Sequence, residues 1–280
     1  MKDPLSTLID LALAEDVGTG DVTTTAIIDR ASRGHASLRA KSSLVVSGLD
    51  MAQRVFLTVD QDLSWKPLCR DGDHVSPGTI LAEIDGVLAS LLTAERTALN
   101  FLQHLSGIAT LTARFVAAVE GTKAKILDTR KTLPGWRQLE KQAVRHGGGI
   151  NHRQGLYDRY LIKNNHITAA GSLREAIARI HRIRNPKLLL EVETQTLDDV
   201  RKAVEANVNV IMLDNMSIDH VREAVKLVHT GGARPPAPFM EVSGNITLEN
   251  VRSYAETGAD CISVGALTHS APAIDIHLII

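Results

Sequence analysis

The amino-acid sequence predicts an incomplete (open) parallel α/β barrel together with an N-terminal α+β sandwich domain joined by the C-terminal strand. Between residues 124 and 270, short apolar runs alternate with segments of amphipathic helical length, a pattern typical of parallel β/α units. Six such runs are visible, fewer than the eight strands of a closed barrel. Apolar residues alternate with polar ones over 35–48 and 274–280, which indicates strands of a separate sheet. The expected domains are 1–105 plus 268–280 for the sandwich and 106–267 for the barrel.

The N-terminal part is predicted to combine helices, a loop and short strands. The Gly/Asp/Thr-rich stretch 15–25 predicts a loop. Two short strands joined by Gly/Pro turns are expected over 68–86. The predicted helices span 5–15, 49–58 and 88–119, the last broken at Gly107.

The apolar runs of the second half each end in groups that bear chemistry. In a parallel barrel the C-terminal ends of the strands face one mouth, where active sites form. Three cations, two carboxylates and a Gly-bearing turn at that mouth predict a pocket for a phosphorylated anion with a divalent metal. The runs are AKILDTRK (124–131), YLIKNNH (160–166), LLLEVE (188–193), VIMLDN (210–215), FMEVSGN (239–245) and CISVG (261–265). The mouth residues are Arg130, Lys131, Lys163, Glu193, Asp214, Ser243 and Gly244, with Gly265 nearby.

Composition excludes several classes of function. The chain has 280 residues, 31 basic against 32 acidic residues and only 3% aromatic residues, so neither nucleic acid nor a membrane is an expected partner. Cys69 and Cys261 are far apart and lack metal-ligand spacing, which fits a reducing compartment. Neither a signal-peptide pattern nor an apolar run of about 20 residues is present, so we expect a cytoplasmic protein.

The segment from 130 to 163 is unusually basic. Pro134 is typical of the first turn of a helix, and the glycines at 147–149 are typical of a helix end. Between them, cations recur every four residues, a spacing at which like charges repel. This stripe either binds an anion or is a solvated helix face offset by Glu140. Its members are Arg137, Lys141 and Arg145.

Several motifs, in this order along the chain, resemble those of the quinolinate phosphoribosyltransferase family. The resemblance covers nearly the whole chain and implies the family's fold. Asn164 and Asn245 stand where many relatives have an acidic residue and a glycine, beside the matched positions. The motifs are LAEDVGTGDVTT, ERTALNFLQHLSGIAT, TRKTLPGWR, GGGINHR, LIKNNHI, LEVE, LDN, SGN and SVGALTH.

The resemblance implies a reaction and an assembly. The family transfers phosphoribose from 5-phosphoribosyl-1-diphosphate to quinolinate with decarboxylation, giving nicotinate mononucleotide, diphosphate and CO2 in NAD biosynthesis. It implies Mg²⁺ as cofactor, held by Glu193 and Asp214 directly or through water. It also implies a homodimer, or a higher oligomer, in which Arg96 enters the partner's site. No general acid can be assigned from the sequence.

The same resemblance assigns roles to individual residues. The implied catalytic residues are Lys131, Lys163, Glu193 and Asp214. Those implied to bind quinolinate are Arg96, Arg130, His152, Arg153 and Lys163. Those implied to bind the sugar diphosphate are Lys131, Glu193, Asp214, Ser243, Gly244, Asn245, Gly265 and Ala266.

Three other functions remain open from the sequence. One is that of a similar phosphoribosyltransferase-like protein of molybdate-transport clusters, acting on another substrate. Another is a Schiff-base aldolase that uses Lys163 as the strand-end amine, which would need a depressed pKa. The third is a phosphate-ligand binding module without catalysis.

Overall fold

A computed structural model describes residues 3–230 and 237–280. The chain divides into two compact units. The first comprises Met1–Ala113, Leu133–Gly148 and Ala271–Ile280, and the second comprises Arg114–Thr132 and Gly149–Ser270.

The described residues form short strands and mostly short helices. The strands are β1 (Arg33–Ala40), β2 (Leu44–Val45), β3 (Ser64–Pro67), β4 (His74–Val75), β5 (Ile80–Val87), β6 (Lys125–Leu127), β7 (Tyr160–Ile162), β8 (Leu190–Thr194), β9 (Val210–Asp214), β10 (Phe239–Ser243), β11 (Cys261–Ser263) and β12 (Ile276–Ile279). The helices are α1 (Pro4–Val17), α2 (Val22–Ile27), α3 (Leu49–Val59), α4 (Leu88–Ala118), α5 (Arg137–His146), α6 (Asn164–Ala170), α7 (Leu173–Ile183), α8 (Leu197–Glu205), α9 (Ile218–Thr230), α10 (Val251–Ala255) and α11 (Ala266–His269).

The first unit is built on an antiparallel sheet with strand order β12-β1-β5-β3. The C-terminal strand pairs with β1, with Leu38 opposite Leu278, so the predicted return of the chain to the N-terminal sheet is confirmed. Leu38 and Ile84 are fully buried on this sheet. Gly86 allows β5 to pass Leu63, because a Cβ at Gly86 would lie 2.2 Å from Leu63 Cδ2.

Two local predictions for this unit are wrong. Helix α4 runs through Gly107 without a break. A Cβ at Gly107 would lie 2.1 Å from the carbonyl oxygen of Pro272, so the glycine allows the C-terminal segment to approach the helix. The predicted loop 15–25 ends in α2, because Asp21 Oδ1 accepts the backbone N–H of Thr24 at 2.9 Å and caps that helix.

Helix α5 belongs to the first unit, which differs from the expected domain limits. Trp136 stacks on Phe101 at 4.5 Å between ring centroids, and His104 Nε2 lies 2.9 Å from Glu140 Oε1. Glu140 is fully buried and Lys141 is 1% exposed. The reading of this helix as a solvated charged face is therefore wrong for these two residues. Pro134 lies in the turn before the helix, which begins at Arg137.

The second unit contains the predicted open parallel sheet, with strand order β6-β11-β10-β9-β8-β7. Within the described ranges the outer strands β6 and β7 do not pair with each other. The central strands are aligned so that Ser243 lies opposite both Asp214 and Ser263. Glu193 lies opposite Met212 on the neighbouring pair. The ends of these strands therefore lie at one edge of the sheet.

In the part of the chain that the structure describes, no helix combines the length and apolar character that crossing a membrane requires.

Candidate active site

A cavity of about 330 Å³ lies at the C-terminal edge of the parallel sheet, within the second unit. It contains eight of the residues predicted from the sequence, and five more that were not predicted. Its lining residues are Thr129, Arg130, Lys131, His152, Arg153, Leu161, Lys163, Glu193, Met212, Asp214, Glu241, Ser243 and Ser263.

The lining residues form two levels because side chains two positions apart on a strand point to the same face. The upper level consists of residues at or just after the strand ends, and the lower level of residues two positions earlier. Three strands show both levels in the cavity: Leu161 and Lys163, Met212 and Asp214, and Glu241 and Ser243.

The loop after β6 is hydrogen-bonded to residues 151–152, which follow the glycines at 147–149. Asp128 is fully buried and accepts the side-chain amide of Asn151 at 2.7 Å and the backbone N–H of His152 at 2.9 Å. The carbonyl oxygen of Lys131 accepts the hydroxyl of Thr268 at 2.7 Å. A Cβ at Gly265 would lie 2.9 Å from Lys131 Cδ, so this glycine leaves room for the lysine side chain.

His152 is held through both ring nitrogens. Its Nδ1 accepts the backbone N–H of Arg153 at 2.8 Å, so the ring proton is assigned to Nε2. Nε2 lies 3.2 Å from Glu191 Oε2 and 3.5 Å from Glu241 Oε1. The imidazole is 6% exposed, and its Nε2 forms a hydrogen bond with Glu191, which is fully buried.

Arg153 is a buried cation beside a second cation. It is 7% exposed, and its Nη1 donates to the carbonyl oxygen of Arg159 at 3.3 Å. Burial, and then the charge of Arg130, hold the pKa of Arg153 below its usual value. Two neighbouring guanidinium groups in a cavity are stabilised by a bound anion, and each can bind a carboxylate through two hydrogen bonds.

The carboxylates of the upper level lie close to each other and to Lys163. Burial, and then the charge of Asp214, raise the pKa of Glu193. Lys163 Nζ lies 3.8 Å from Glu193 Oε2, and Asn164 Nδ2 donates to Glu193 Oε1 at 3.2 Å. The side chain of Lys163 is 52% exposed, so it lacks the apolar surroundings that activate a Schiff-base lysine.

The turn after β10 has a conformation that few sequences allow. In this turn Gly244 has φ +100° and Asn245 has φ +52°. Asn215, which follows β9 and contacts the turn, has φ +56°. Asn245 Nδ2 donates to Asn215 Oδ1 at 3.0 Å, and a Cβ at Gly244 would lie 2.2 Å from that oxygen. Asparagine tolerates this left-handed region, which explains how SGN forms the turn. The next helix, α10, starts only at Val251, so this turn is not a helix N-terminus.

Sequence reasoning missed the lower carboxylates. Glu191 and Glu241 are buried on β8 and β10, and Glu241 lines the cavity. Their signal in the sequence is an acidic residue inside an apolar strand, two positions before the strand-end group, in LEVE and MEVS. The remaining unpredicted lining residues are Thr129, Leu161, Met212 and Ser263.

Some predicted residues do not line the cavity. Arg96 is exposed on α4 in the first unit, and the basic stripe of α5 also belongs to that unit. The predicted phosphate-binding residues outside the cavity lining are Gly244, Asn245, Gly265 and Ala266, each next to or near a lining residue in sequence.

Cations and carboxylates at the strand ends of an open parallel α/β sheet define an enzyme site for a phosphorylated, multiply anionic substrate. Residues 21–106 match the family described as quinolinate phosphoribosyl transferase, N-terminal domain, and residues 108–279 match its C-terminal domain. The chain belongs to the quinolinate phosphoribosyltransferase family.

Individual relatives agree with this assignment over nearly their full lengths. The chain is 43% identical over 270 residues to the carboxylating nicotinate-nucleotide pyrophosphorylase of Mycobacterium leprae, covering 95% of this chain and 94% of that protein. It is similar to the crystal structure of NadC from Streptococcus pyogenes, with TM-score 0.92, 41% identity and coverage of 98% and 95%. The nicotinate-nucleotide pyrophosphorylase structure from Francisella tularensis gives TM-score 0.93, 39% identity and coverage of 99% and 95%.

Proposed function

We propose that this protein transfers phosphoribose from 5-phosphoribosyl-1-diphosphate to the ring nitrogen of quinolinate. Loss of diphosphate and CO2 then gives nicotinate mononucleotide, a step of NAD biosynthesis. The observation that carries this proposal is one cavity in which buried and half-exposed cations lie beside two strand-end carboxylates. The family assignment supports the same substrates.

The cations suit a dicarboxylate ring. Quinolinate carries two carboxylates and needs several donors, which Arg130, Arg153 and Lys163 supply from three different segments. His152 packs beside Arg153 and fixes its backbone through the 2.8 Å hydrogen bond to Nδ1. In this proposal His152 therefore shapes the quinolinate subsite, and the charge comes from the guanidinium and ammonium groups.

The remaining polar groups of the cavity suit the sugar diphosphate. Lys131 would bind phosphate oxygens, and Ser243 with the Gly244 turn would receive the 5-phosphate, near Gly265 and Ala266. Glu193 and Asp214 would face the ribose hydroxyls.

Two close carboxylates, one with a raised pKa, are a donor set that fits Mg²⁺, which takes few carboxylates along with water and phosphate oxygens. Glu193 and Asp214 would hold that ion. A bound Mg²⁺ would neutralise part of the negative charge of the diphosphate.

Catalysis in this site depends on positioning and electrostatics. The substrate nitrogen is itself the nucleophile, so no activated serine or cysteine is required. The cations orient quinolinate toward the anomeric carbon, and Lys131 stabilises the departing diphosphate. The positive charge of the quaternised ring nitrogen then stabilises the electron pair that stays on C2 when CO2 departs.

We also propose a homodimer, or a higher oligomer, in which Arg96 completes the quinolinate subsite of the partner. Arg96 is exposed on the surface of α4, as a contact to a second subunit requires. A cytoplasmic location is consistent with this small-molecule chemistry.

The decisive experiment measures CO2 release from carboxyl-labelled quinolinate with 5-phosphoribosyl-1-diphosphate and Mg²⁺. We expect release that depends on both substrates, with stoichiometric nicotinate mononucleotide. Tight binding of both substrates without turnover would favour a binding module. Turnover of a different nitrogen base, with quinolinate inert, would favour the protein of molybdate-transport clusters.

A further inference from the structure

We infer that Glu241 is the general acid of this site and protonates ring carbon 2 after CO2 has left. This inference rests on the proposed function, because it concerns the decarboxylation half of that reaction. It assigns a role to a residue of the lower level that the sequence motifs do not single out.

The position of Glu241 carries the inference. Its side chain is 1% exposed, yet it lines the cavity on the same face of β10 as Ser243. Oε1 of Glu241 makes no hydrogen bond to any residue that the structure describes. His152 Nε2 lies 3.5 Å from this oxygen, but it forms its hydrogen bond with Glu191, whose Oε2 is 3.2 Å away. A buried carboxyl oxygen without a hydrogen bond, beside a ligand cavity, is costly unless it is protonated or meets the ligand.

The surroundings of Glu241 favour the protonated acid. Burial, and then the charge of Glu191 on β8, raise the pKa of Glu241 to about 7. His152 and Arg159 oppose this shift in part, as does the Ser263 hydroxyl on β11. The neighbouring strands add no further charge at this level: β9 presents Met212, and burial raises the pKa of the Cys261 thiol on β11 to about 12.

The other titratable groups of the cavity have competing tasks. Lys131 and Lys163 would lose the charge that holds the substrates if they gave up a proton. Glu193 lies beside Asp214 at the proposed metal and ribose position. The ring proton of His152 is directed to Glu191. Among the described lining residues this leaves Glu241 as the acid whose loss of a proton does not weaken substrate binding.

The chemical step balances without a further reactant. The bond between C2 and its carboxylate carbon breaks, CO2 departs, and the electron pair stays on C2 beside the positively charged nitrogen. The O–H bond of Glu241 breaks as its proton forms the new C2–H bond. The resulting carboxylate takes a proton from solvent after product release. General acids of this kind typically contribute about 10²- to 10⁴-fold in rate.

The test compares wild type with Glu241→Gln and Glu191→Gln under single-turnover conditions, with quinolinate affinity measured separately. For Glu241→Gln we expect formation of nicotinate mononucleotide to slow by about 10²-fold or more, with quinolinate affinity within about threefold of wild type. The wild-type rate should fall as pH rises through about 7, since the acid is then lost. Glu241→Gln should lack this decline, and Glu191→Gln should move it to lower pH because a charge that raises the pKa of Glu241 is removed.

The outcomes separate the inference from the proposed function. A wild-type protein that releases no CO2 from quinolinate overturns the proposed function and this inference with it. A wild-type protein that turns over, with Glu241→Gln within threefold of its rate or with the same pH decline, overturns the inference alone. Loss of quinolinate affinity in Glu241→Gln would also overturn it, since Glu241 would then be a binding residue. If Glu241→Gln does not fold, the wild-type and Glu191→Gln pH profiles decide: a flat wild-type profile, or one that Glu191→Gln does not move, counts against the inference.

Discussion

Arg159 Nη1 lies 3.0 Å from Oε2 of Glu191, a carboxylate whose side chain is fully buried. Burial alone would raise the pKa of Glu191, but the hydrogen bond from His152 and the charge of Arg159 outweigh it, and the net shift is downward. The pair thus keeps a charged carboxylate beneath the cavity, where it holds His152 in place.

Arg159→Gln should therefore destabilise the protein strongly. It leaves the buried charge of Glu191 without its cation, which typically costs about 3–5 kcal/mol. Urea unfolding at pH 8 measures this loss. Arg222→Gln is the matched control, because Arg222 pairs with Asp219 on the exposed surface of α9 and should contribute much less. Equal destabilisation by the two substitutions would contradict a structural role for the buried pair.

Glu241 makes stability depend on pH in a predictable direction. Its pKa rises from 4.5 to about 7 on folding, so in that interval the native state holds a proton that the unfolded state has released. The contribution of Glu241 to the free energy of unfolding is therefore full below pH 4.5, and it is lost as pH rises through about 7. We expect Glu241→Gln to flatten this decline, as measured by melting temperature across the interval. An unchanged slope would show that other groups dominate it.

Gly244→Ala should weaken binding of the sugar diphosphate. The new Cβ would lie 2.2 Å from Asn215 Oδ1 and displace a side chain beside Asp214, while a φ of +100° strains any residue with a Cβ. We expect a stability loss of about 1–3 kcal/mol and a raised KM for 5-phosphoribosyl-1-diphosphate. Gly171→Ala controls for backbone strain, since Gly171 has φ +91° with open space around it. A comparable KM increase in both variants would argue against a specific phosphate-binding turn.

Arg130→Lys should weaken quinolinate binding while leaving the sugar diphosphate largely unaffected. A lysine keeps the charge but loses the two-pronged hydrogen bonding of the guanidinium, at a cost of about 1–3 kcal/mol. Steady-state KM values for both substrates provide the measurement. Arg145→Lys, an exposed arginine of α5 in the first unit, is the control and should change neither value. An unchanged KM for quinolinate in Arg130→Lys would remove Arg130 from the subsite.

Subunit sharing predicts complementation between inactive variants. Mixed dimers of Arg96→Ala and Lys131→Ala contain one intact site if Arg96 acts in the partner's site. Random exchange should restore about one quarter of wild-type activity, because half the dimers are hybrids with one intact site each. Arg130→Ala mixed with Lys131→Ala is the control, since every hybrid site then carries one defect. Verified hybrids without activity would place the whole site within one chain.

The sequence predicts the parallel half of the fold and the upper level of the site well, because both depend on short-range patterns. Each predicted strand from β6 to β11 is present, and strand ends such as Lys163, Glu193 and Asp214 gather at one edge. In a parallel sheet the apolar run itself sets the register of each strand. The polar residue after the run therefore lies at the C-terminal edge of the sheet.

Tertiary packing decided what the sequence could not show. The sequence pattern predicts that Lys141 and Glu140 lie on a charged surface, yet both are buried in the first unit. The charge of a side chain does not reveal which residues pack against its helix. Gly107 reads as a helix break, but it accommodates the backbone at Pro272, some 165 positions further along the chain. Glu241 gave only a weak signal, because one acidic residue in an apolar strand does not identify its neighbours.

The two-level arrangement ties the chemistry of this site to the correctness of its folding. On β8, β9 and β10 the residues between the lower-level and upper-level positions, Val192, Leu213 and Val242, are buried and point to the opposite face of the sheet. A shift of one position in any of these strands would place valine or leucine in the cavity and carboxylates among the apolar side chains outside the sheet. A misaligned chain would therefore be inactive and also too unstable to persist, so quality control that removes unstable proteins would remove defective catalysts as well.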